Sequence, residues 1–290
     1  TPTTILGTVW VFCEQERTFS DREIDLLEVT AGRVAAELER EAALQAALQT
    51  VALQRQVESA QRLIRSQLPT VSPLMDGWEL AGWMDTERIG GAFFDWCCPK
   101  DGRIHFALGE TADDSVSTAL TMAAVRSAWR AHAQYQREVK KLLGQLNLTL
   151  WTGSAGDQSA TMVCGTIDPK TRTLRVGAAG TAHAVLITEK QHRVVPPSGA
   201  ALGIDPESTY LPNRWKFPEN AILVATTAGI REAIGVDQRP LWETQILPFL
   251  TSNLHLPAKS LVQNIQRSLE QNGVPSKKVP GVLIVKRRSS

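Results

Sequence analysis

Four carboxylates that could act together in metal chemistry stand within twenty residues of one another: Asp95, Glu110, Asp113 and Asp114. Anionic oxygens are the ligands that hard divalent ions such as Mg²⁺ and Mn²⁺ prefer. We expect these side chains around one hairpin and the start of the next helix, where they could share one metal ion. In the alternative that we favour, Asp113 or Asp114 caps the helix that begins at Ser115.

Other reactive side chains lack the arrangement of a chemical site. Cys97 and Cys98 are adjacent in a predicted strand, where cysteines act as small buried apolar residues rather than as a redox pair. His105 and His183 lie in strand-like runs without the spacing of zinc ligands. The glycines of segment 153–156 are typical of a turn, because the GK[ST] ending of a phosphate-binding loop is missing.

Composition excludes several classes of protein. The chain has 290 residues, with 31 Lys and Arg against 30 Asp and Glu, and this balance argues against a nucleic-acid-binding domain. A hydrophobic content of 43% is sufficient for a large buried core. Four cysteines without a CxxC pair do not make a disulfide framework, and no apolar run is long enough to span a membrane. We expect a cytoplasmic protein, and the first residues, which lack an initiator Met, predict a piece of a longer one.

A long helix is predicted over residues 21–68, which contain no proline and one glycine. Ser20 and Glu23 have the spacing of a capping box, and Pro69 ends the helix. Apolar residues recur in stretches at alternating steps of four and three, at Leu27, Ala31, Val34 and Leu38 and, after a phase shift, at Leu44, Leu48 and Val51. This spacing predicts a coiled-coil-like homodimer with parallel helices, and the alternative is a helix that folds back onto its own domain.

Residues 69–290 are predicted to form one α+β domain, because short strands joined mostly as hairpins alternate with blocks of helix. Predicted strands cover residues 78–84, 91–98, 104–109, 161–168, 173–178, 184–188, 221–227 and 282–286. Predicted helices cover residues 115–136, 139–151, 241–250 and 258–271. This order argues against a doubly wound parallel sheet.

Several short motifs lie in order along this domain: Gln67-Leu68-Pro69, Ile89-Gly90-Gly91-Ala92-Phe93-Phe94-Asp95, Phe106-Ala107-Leu108-Gly109-Glu110, Gly177-Ala178-Ala179-Gly180, Ala201-Leu202-Gly203-Ile204 and Thr226-Thr227-Ala228-Gly229-Ile230-Arg231-Glu232-Ala233. With them, the chain from about residue 61 to its end resembles the PPM family of metal-dependent serine/threonine phosphatases, in its bacterial RsbU/SpoIIE-like branch. The resemblance implies a β-sandwich flanked by helices. Upstream, residues 1–20 resemble the last strand of a GAF sensor domain.

The resemblance also implies two Mn²⁺ or Mg²⁺ ions, which the family holds mainly with four aspartates. At those positions this chain has Ala92, Glu110, Ala228 and, around the fourth, Lys277-Lys278. Even losses next to metal ligands typically weaken binding about 10- to 100-fold, so three lost ligands leave no two-ion centre. The resemblance with these departures therefore predicts a pseudophosphatase, with no catalytic residues and no metal cofactor.

Two more departures concern the same region. Asp113-Asp114-Ser115 stands where the family has a glycine-rich turn, which removes backbone freedom there. We hypothesise that Lys277 or Lys278 occupies part of the former metal volume and pairs with Glu110. The simpler alternative leaves both lysines solvated in a loop.

Three functions agree with this sequence. The first is a regulatory module that binds a protein partner, for which the resemblance implies an anti-sigma-antagonist (STAS-like) protein. The second is an active Mn²⁺- or Mg²⁺-dependent phosphoprotein phosphatase with substitute ligands Asp95, Glu110 and Asp114. The third is a scaffold whose folded domain only caps the coiled coil. The number of carboxylates at the four ligand positions favours the first over the second and does not separate the first from the third.

Overall fold

The computed structural model describes residues 6–86, 91–111, 116–154, 157–273 and 278–288. It divides into two compact units, Thr1–Ala60 and Gln61–Ser290. The strand predicted at 5–12 is absent from the described residues of that stretch, since 6–20 contain neither helix nor strand. Over the described residues no strand lies beside this segment to pair its backbone groups, and its apolar side chains, such as Trp10, are exposed.

Helix α1 spans Asp21–Gln67, which confirms the predicted long helix to within a residue. The Glu23 carboxylate accepts hydrogen bonds from the backbone N–H of Ser20 at 2.9 Å and from its hydroxyl at 2.8 Å. Leu38 and Leu48, on the predicted dimer stripe, are exposed in the single chain. None of the helices in the described segments combines the length and the apolar character that crossing a membrane requires.

In the residues that the structure describes, the second unit has ten strands in two antiparallel sheets. The first sheet contains β1 (Trp78–Met84), β6 (His183–Ile187), β7 (His192–Val194), β9 (Ile222–Thr226) and β10 (Gly281–Arg287), in the order β1-β10-β9-β6-β7. The second contains β2 (Ala92–Cys97), β3 (Ile104–Thr111), β4 (Ala160–Asp168), β5 (Thr173–Ala179) and β8 (Asn213–Lys216), in the order β2-β3-β4-β5-β8.

Helices cover the outer face of each sheet. Those on the second sheet are α2 (Val116–Ala133) and α3 (Val139–Gly153). Those on the first are α4 (Ala228–Arg231), a π-helical turn (Trp242–Ile246) that continues into α5 (Leu247–Ser252), and α6 (Ala258–Gln271). The result is a four-layer α-β-β-α arrangement, which confirms the predicted α+β class.

The apolar runs of the sequence become the inner layers of this sandwich. The central strands β9 and β10 are buried at every position, because sheet packs on one face and helix on the other. Phe106, Leu174 and Val285 belong to the core shared by the two sheets. Within residues 69–290 the predicted strands and helices are found, with ends shifted by a few residues. β7, β8 and α4 were not predicted, because they are short and mostly polar or without periodicity.

Candidate functional site

The ends of β2 and β3 bring together two of the positions at which the resemblance implies metal-binding aspartates. The strands are antiparallel, and their register sets Ala92 opposite Glu110. Ala92 lies in the core between the sheets, and alternation along β3 directs Glu110 to the same face as Leu108. Glu110 therefore points from the second sheet towards the first, at one end of the sandwich.

Ala228 is the third position that the structure brings to this end, where β9 passes into α4. Its backbone N–H donates to both carboxylate oxygens of Glu110, each at 2.9 Å. The first N–H groups of a helix have no partner within the helix, so a carboxylate is a favourable acceptor there. Glu110 thus links the two sheets through a hydrogen bond to the start of α4.

The contact between Glu110 and Ala228 is called the Glu110 junction below. Thr227 and Gly229 hold the segment before β10 against it. The Thr227 hydroxyl donates to the carbonyl oxygen of Val279 at 2.8 Å and accepts from the N–H of Gly281 at 2.8 Å. A Cβ at Gly229 would lie 2.7 Å from the carbonyl oxygen of Lys278, so only glycine permits this backbone approach. The packing fixes Lys278 beside α4.

Burial is the main influence on the Glu110 carboxyl, and it raises the pKa of that group. The Ala228 N–H and the positive charges of Lys278 and Arg231 lower the pKa, while the nearby Glu232 raises it. Lys278 forms an ion pair with Glu232, with 3.5 Å between Nζ and Oε1. Its charge therefore acts on Glu110 while its ammonium contacts Glu232. Lys277 lies outside the described residues.

Asp95 lies on the opposite face of β2 from Ala92, against α2, so the structure does not bring it to Glu110. Its carboxylate is fully buried and accepts from Arg130 at 2.6 and 2.9 Å in a bidentate pair. Arg126 forms a second ion pair with it at 3.0 Å. A carboxylate held by two guanidinium groups has no free lone pairs directed at the junction.

The Asp95 cluster reaches the end of α1 through Arg126. This side chain donates to the side-chain oxygen of Gln67 at 3.3 Å and to its backbone carbonyl oxygen. Leu68, the next residue, packs against both the core between the sheets and the core under α2. The helix end, α2 and β2 are therefore held together by one set of contacts.

The side chains at the junction do not fit a two-ion metal centre. Ala92 and Ala228 carry no side-chain oxygen, and the Glu110 carboxylate is already engaged. Over the described parts of the chain, no three His, Cys, Asp or Glu side chains are grouped closely enough to hold a metal ion. Asp113 and Asp114, the other two substitute candidates, lie outside those parts.

The remaining chemical candidates occupy structural positions. Cys97 is buried, and burial raises the pKa of its thiol to about 12. Cys98 is exposed, so its predicted burial was wrong, because alternation along the chain turns it away from the core. His105 lies with its Nδ1 3.2 Å from the Thr166 hydroxyl, and burial lowers its pKa to about 4. His183 contacts the Thr226 hydroxyl at 2.9 Å, and its pKa is likewise lowered to about 4, mainly by burial. Both imidazoles are neutral at pH 7.

Sequence reasoning missed two features of this region. The bond between Glu110 and Ala228 joins residues 118 positions apart, and no local pattern indicates it. The ion pairs of Asp95, by contrast, could have been predicted from the sequence. An acidic residue inside an apolar strand needs a buried cation, and two arginines four residues apart lie on one face of the following helix.

Solved phosphatase-type domains share this architecture. The RsbU and RsbW domains of a Mycobacterium tuberculosis protein superpose with a TM-score of 0.65 at 24% identity, covering 77% of this chain and 63% of that chain. For the SiaA PP2C domain of Pseudomonas aeruginosa the TM-score is 0.69 at 15% identity, with 83% and 98% covered. The PP2C phosphatase domain of SpoIIE from Bacillus subtilis, solved with a fragment of its regulatory domain, gives 0.60 at 12% identity, with 73% and 62% covered. The fold is that of PP2C-type phosphatases.

The family follows from the sequence itself. The profile of stage II sporulation protein E (SpoIIE) matches residues 100–278, which is more than half of the chain. The chain therefore belongs to the SpoIIE family of PPM-type phosphatase domains. No curated protein matches the chain in sequence. The chain spans less than two thirds of the Mycobacterium tuberculosis structure that it resembles.

Proposed function

We propose that this SpoIIE-family domain is a pseudophosphatase that acts by binding a protein partner. The observation that carries the proposal is the Glu110 carboxylate, whose two oxygens accept the Ala228 N–H at 2.9 Å. In the proposal this hydrogen bond takes the place of metal ligation in joining the two sheets. The family's metal chemistry requires several anionic oxygens around the ions, and two of the aligned positions carry only a methyl group.

The contacts at the end of α1 support a regulatory role for the domain. Arg126 connects Gln67 with the buried Asp95, so a displacement of the helix end would disturb α2 and β2 together. We propose that residues 21–68 form a homodimer with parallel helices and transmit the state of an upstream GAF-like sensor. The exposed apolar stripe that includes Leu38 and Leu48 supports this dimer.

For the partner we propose a small protein of sigma-factor regulation, with an anti-sigma-antagonist (STAS-like) protein as the first candidate. Membership of the SpoIIE family and the likeness to a structure containing RsbU and RsbW domains support this class. A domain without turnover would hold such a partner rather than dephosphorylate it.

Calorimetric titration of Mn²⁺ into the whole chain, stripped with a chelator, tests the loss of metal chemistry. We expect no binding up to about millimolar Mn²⁺, because the ligand set is incomplete. The matched gain-of-function variant combines Ala92→Asp, Glu110→Asp and Ala228→Asp, and it should acquire saturable binding if the fold is retained. Melting curves of both proteins without metal verify folding.

Saturable binding of one or two equivalents by the unchanged chain would contradict the proposal. It would favour an active phosphatase with substitute ligands among Asp95, Glu110 and Asp114, and Mn²⁺-dependent activity should then disappear in Glu110→Gln. A chain that binds neither metal nor a protein at the Glu110 junction would instead be a scaffold that caps its coiled coil.

A further inference from the structure

The two sheets each end in an open edge strand, β7 in the first and β8 in the second. Every residue of β7 is exposed, and in β8 only Trp215 is buried. A cleft of about 350 Å³ lies along these edges, and its lining includes Thr188, Gln191, Arg193, Arg214, Trp215 and Lys216. Three of these side chains are cationic, and none of the described residues that line the cleft is acidic.

No ion pair of these cations is found among the residues that the structure describes. Arg214 lies directly opposite Arg175 of β5, and like charges in this relation destabilise a sheet. Neither arginine forms an ion pair with a residue that the structure describes. Arg193 lies with its guanidinium 4.5 Å above the ring of Trp215, and Lys216 donates to the carbonyl oxygen of Thr171 at 3.1 Å. None of the described residues that line the cleft offers a carboxylate to these cations.

The cleft is at the opposite end of the sandwich from the Glu110 junction. Glu110 pairs with Thr161 near the start of β4, whereas Asp168 at the other end of β4 pairs with Thr173. Thr173 in turn pairs with Lys216. The cleft is therefore a separate surface, and an inference about it does not depend on the function proposed above.

We propose that this cleft binds an acidic peptide segment of a partner protein, added in extended conformation to the free edge of β8. An edge strand presents unpaired backbone N–H and C=O groups, which a polypeptide satisfies. Arg214 and Lys216 are two residues apart on one face of the strand, roughly 7 Å from each other. Carboxylates at every second position of an extended peptide have the same spacing.

The structure favours a peptide over nucleic acid as the occupant. Bases that bind single-stranded sites stack on open aromatic rings, and the accessible face of Trp215 is covered by Arg193. Nucleic acid also requires a broad basic excess, whereas the whole chain carries a net charge of +1. A peptide strand needs only the local cations and the backbone of β8.

Fluorescence anisotropy with the whole chain tests the proposal. The probe is a labelled peptide of about eight residues, twice the length of β8, with glutamate at every second position and threonine between. We expect saturable binding that weakens with added salt, and no binding of the matched peptide with glutamine in place of glutamate. The combined variant Arg214→Glu and Lys216→Glu should lower the affinity about tenfold or more.

The control variant, Lys259→Glu with Arg267→Glu, changes the net charge equally on the exposed surface of α6 and should keep the affinity of the unchanged chain. If the cleft variant does not fold, as judged by circular dichroism, Arg214→Gln with Lys216→Gln replaces it. Equal loss in both variants, or no peptide binding at about millimolar concentration, would overturn the proposal and leave the cations only as protection of the sheet edges. Tighter binding of a single-stranded DNA oligonucleotide than of the peptide would also overturn it.

Discussion

Glu110→Ala measures what the carboxylate at the junction contributes to folding. The substitution leaves the Ala228 N–H at the start of α4 without its acceptor. Loss of a helix cap costs about 0.5–2 kcal/mol, and a buried unsatisfied donor costs about 1–3 kcal/mol. Removing a carboxylate whose charged form is disfavoured by burial offsets part of this. We expect a net loss of about 1–2 kcal/mol, which for a domain of this size lowers the Tm by about 2–8 °C.

Glu110→Gln separates the hydrogen bond from the charge, because the amide oxygen can still accept the Ala228 N–H. Burial raises the pKa of Glu110 in the folded protein above its ordinary value of 4.5. The folded state therefore holds the proton more tightly than the unfolded state, so this stabilisation is complete below pH 4.5 and is lost as the pH rises through the folded pKa. Glutamine does not titrate, so it has no such loss. The stability of Glu110→Gln relative to the unchanged chain should therefore increase as the pH rises from 4.5.

Melting curves followed by circular dichroism between acidic and neutral pH are the assay. Glu138→Ala is the matched control, since Glu138 is exposed and forms a surface ion pair with Lys141 at 3.0 Å, where a loss below about 0.5 kcal/mol is expected. A Glu110→Ala variant that melts like this control would refute the capping role. A Glu110→Gln variant that follows the unchanged chain at every pH would refute the assigned effect of burial.

Four more perturbations follow from the contacts described. Asp95→Asn removes the charge that neutralises two arginines and should cost about 3–5 kcal/mol in urea unfolding. Thr227→Val removes the hydroxyl that joins β9 to the segment before β10, so the Tm should fall with a loss of about 1–3 kcal/mol. Lys278→Gln removes a charge that lowers the pKa of Glu110, so the carboxyl should titrate at higher pH in a carbon-detected NMR experiment. Leu38→Lys places a charge in the predicted dimer stripe and should reduce the mass seen by light scattering towards that of a monomer.

Each of these substitutions has a control variant or a result that would contradict the prediction. Asp168→Asn, at a partly exposed carboxylate that accepts the backbone N–H groups of Lys170 and Thr171, should cost clearly less than Asp95→Asn. Thr149→Val, on the exposed face of α3, should leave the Tm nearly unchanged. An unaltered Glu110 titration in Lys278→Gln would contradict the electrostatic link. A mass that Leu38→Lys does not change would contradict the dimer through that stripe.

The elements that could be predicted are those with an uninterrupted signal in the sequence. Residues 282–286 lie in a continuous apolar run, and residues 21–68 contain no proline and one glycine among strong helix formers. β8 was missed because three of its four residues, including Arg214 and Lys216, do not lie in the core. The strand predicted at 5–12 was wrong because composition indicates a strand only where a neighbouring strand can pair with it.

The residues of the candidate site could be predicted from the sequence, but most of their contacts could not. Motif order indicated Ala92, Glu110 and Ala228, and the structure brings these three together. Alternation along β2 already separates Asp95 from Ala92, since residues three apart in a strand point to opposite faces. The bond from Ala228 to Glu110 depends on how two sheets meet, which no local pattern contains. The ion pairs of Asp95 depend in the same way on how α2 lies across β2.

The hydrogen bond between Glu110 and Ala228 also bears on how this domain can evolve. On the proposed function, recovery of metal chemistry needs aspartates at several positions at once. Ala228→Asp alone would set a second carboxylate beside Glu110 without a cation between them, and the like charges would repel. Ala92→Asp alone would bury an unpaired carboxylate between the sheets. Each single substitution towards the family's metal ligands would therefore destabilise the fold before any activity could be selected. The bond makes the loss of metal chemistry difficult to reverse by single substitutions.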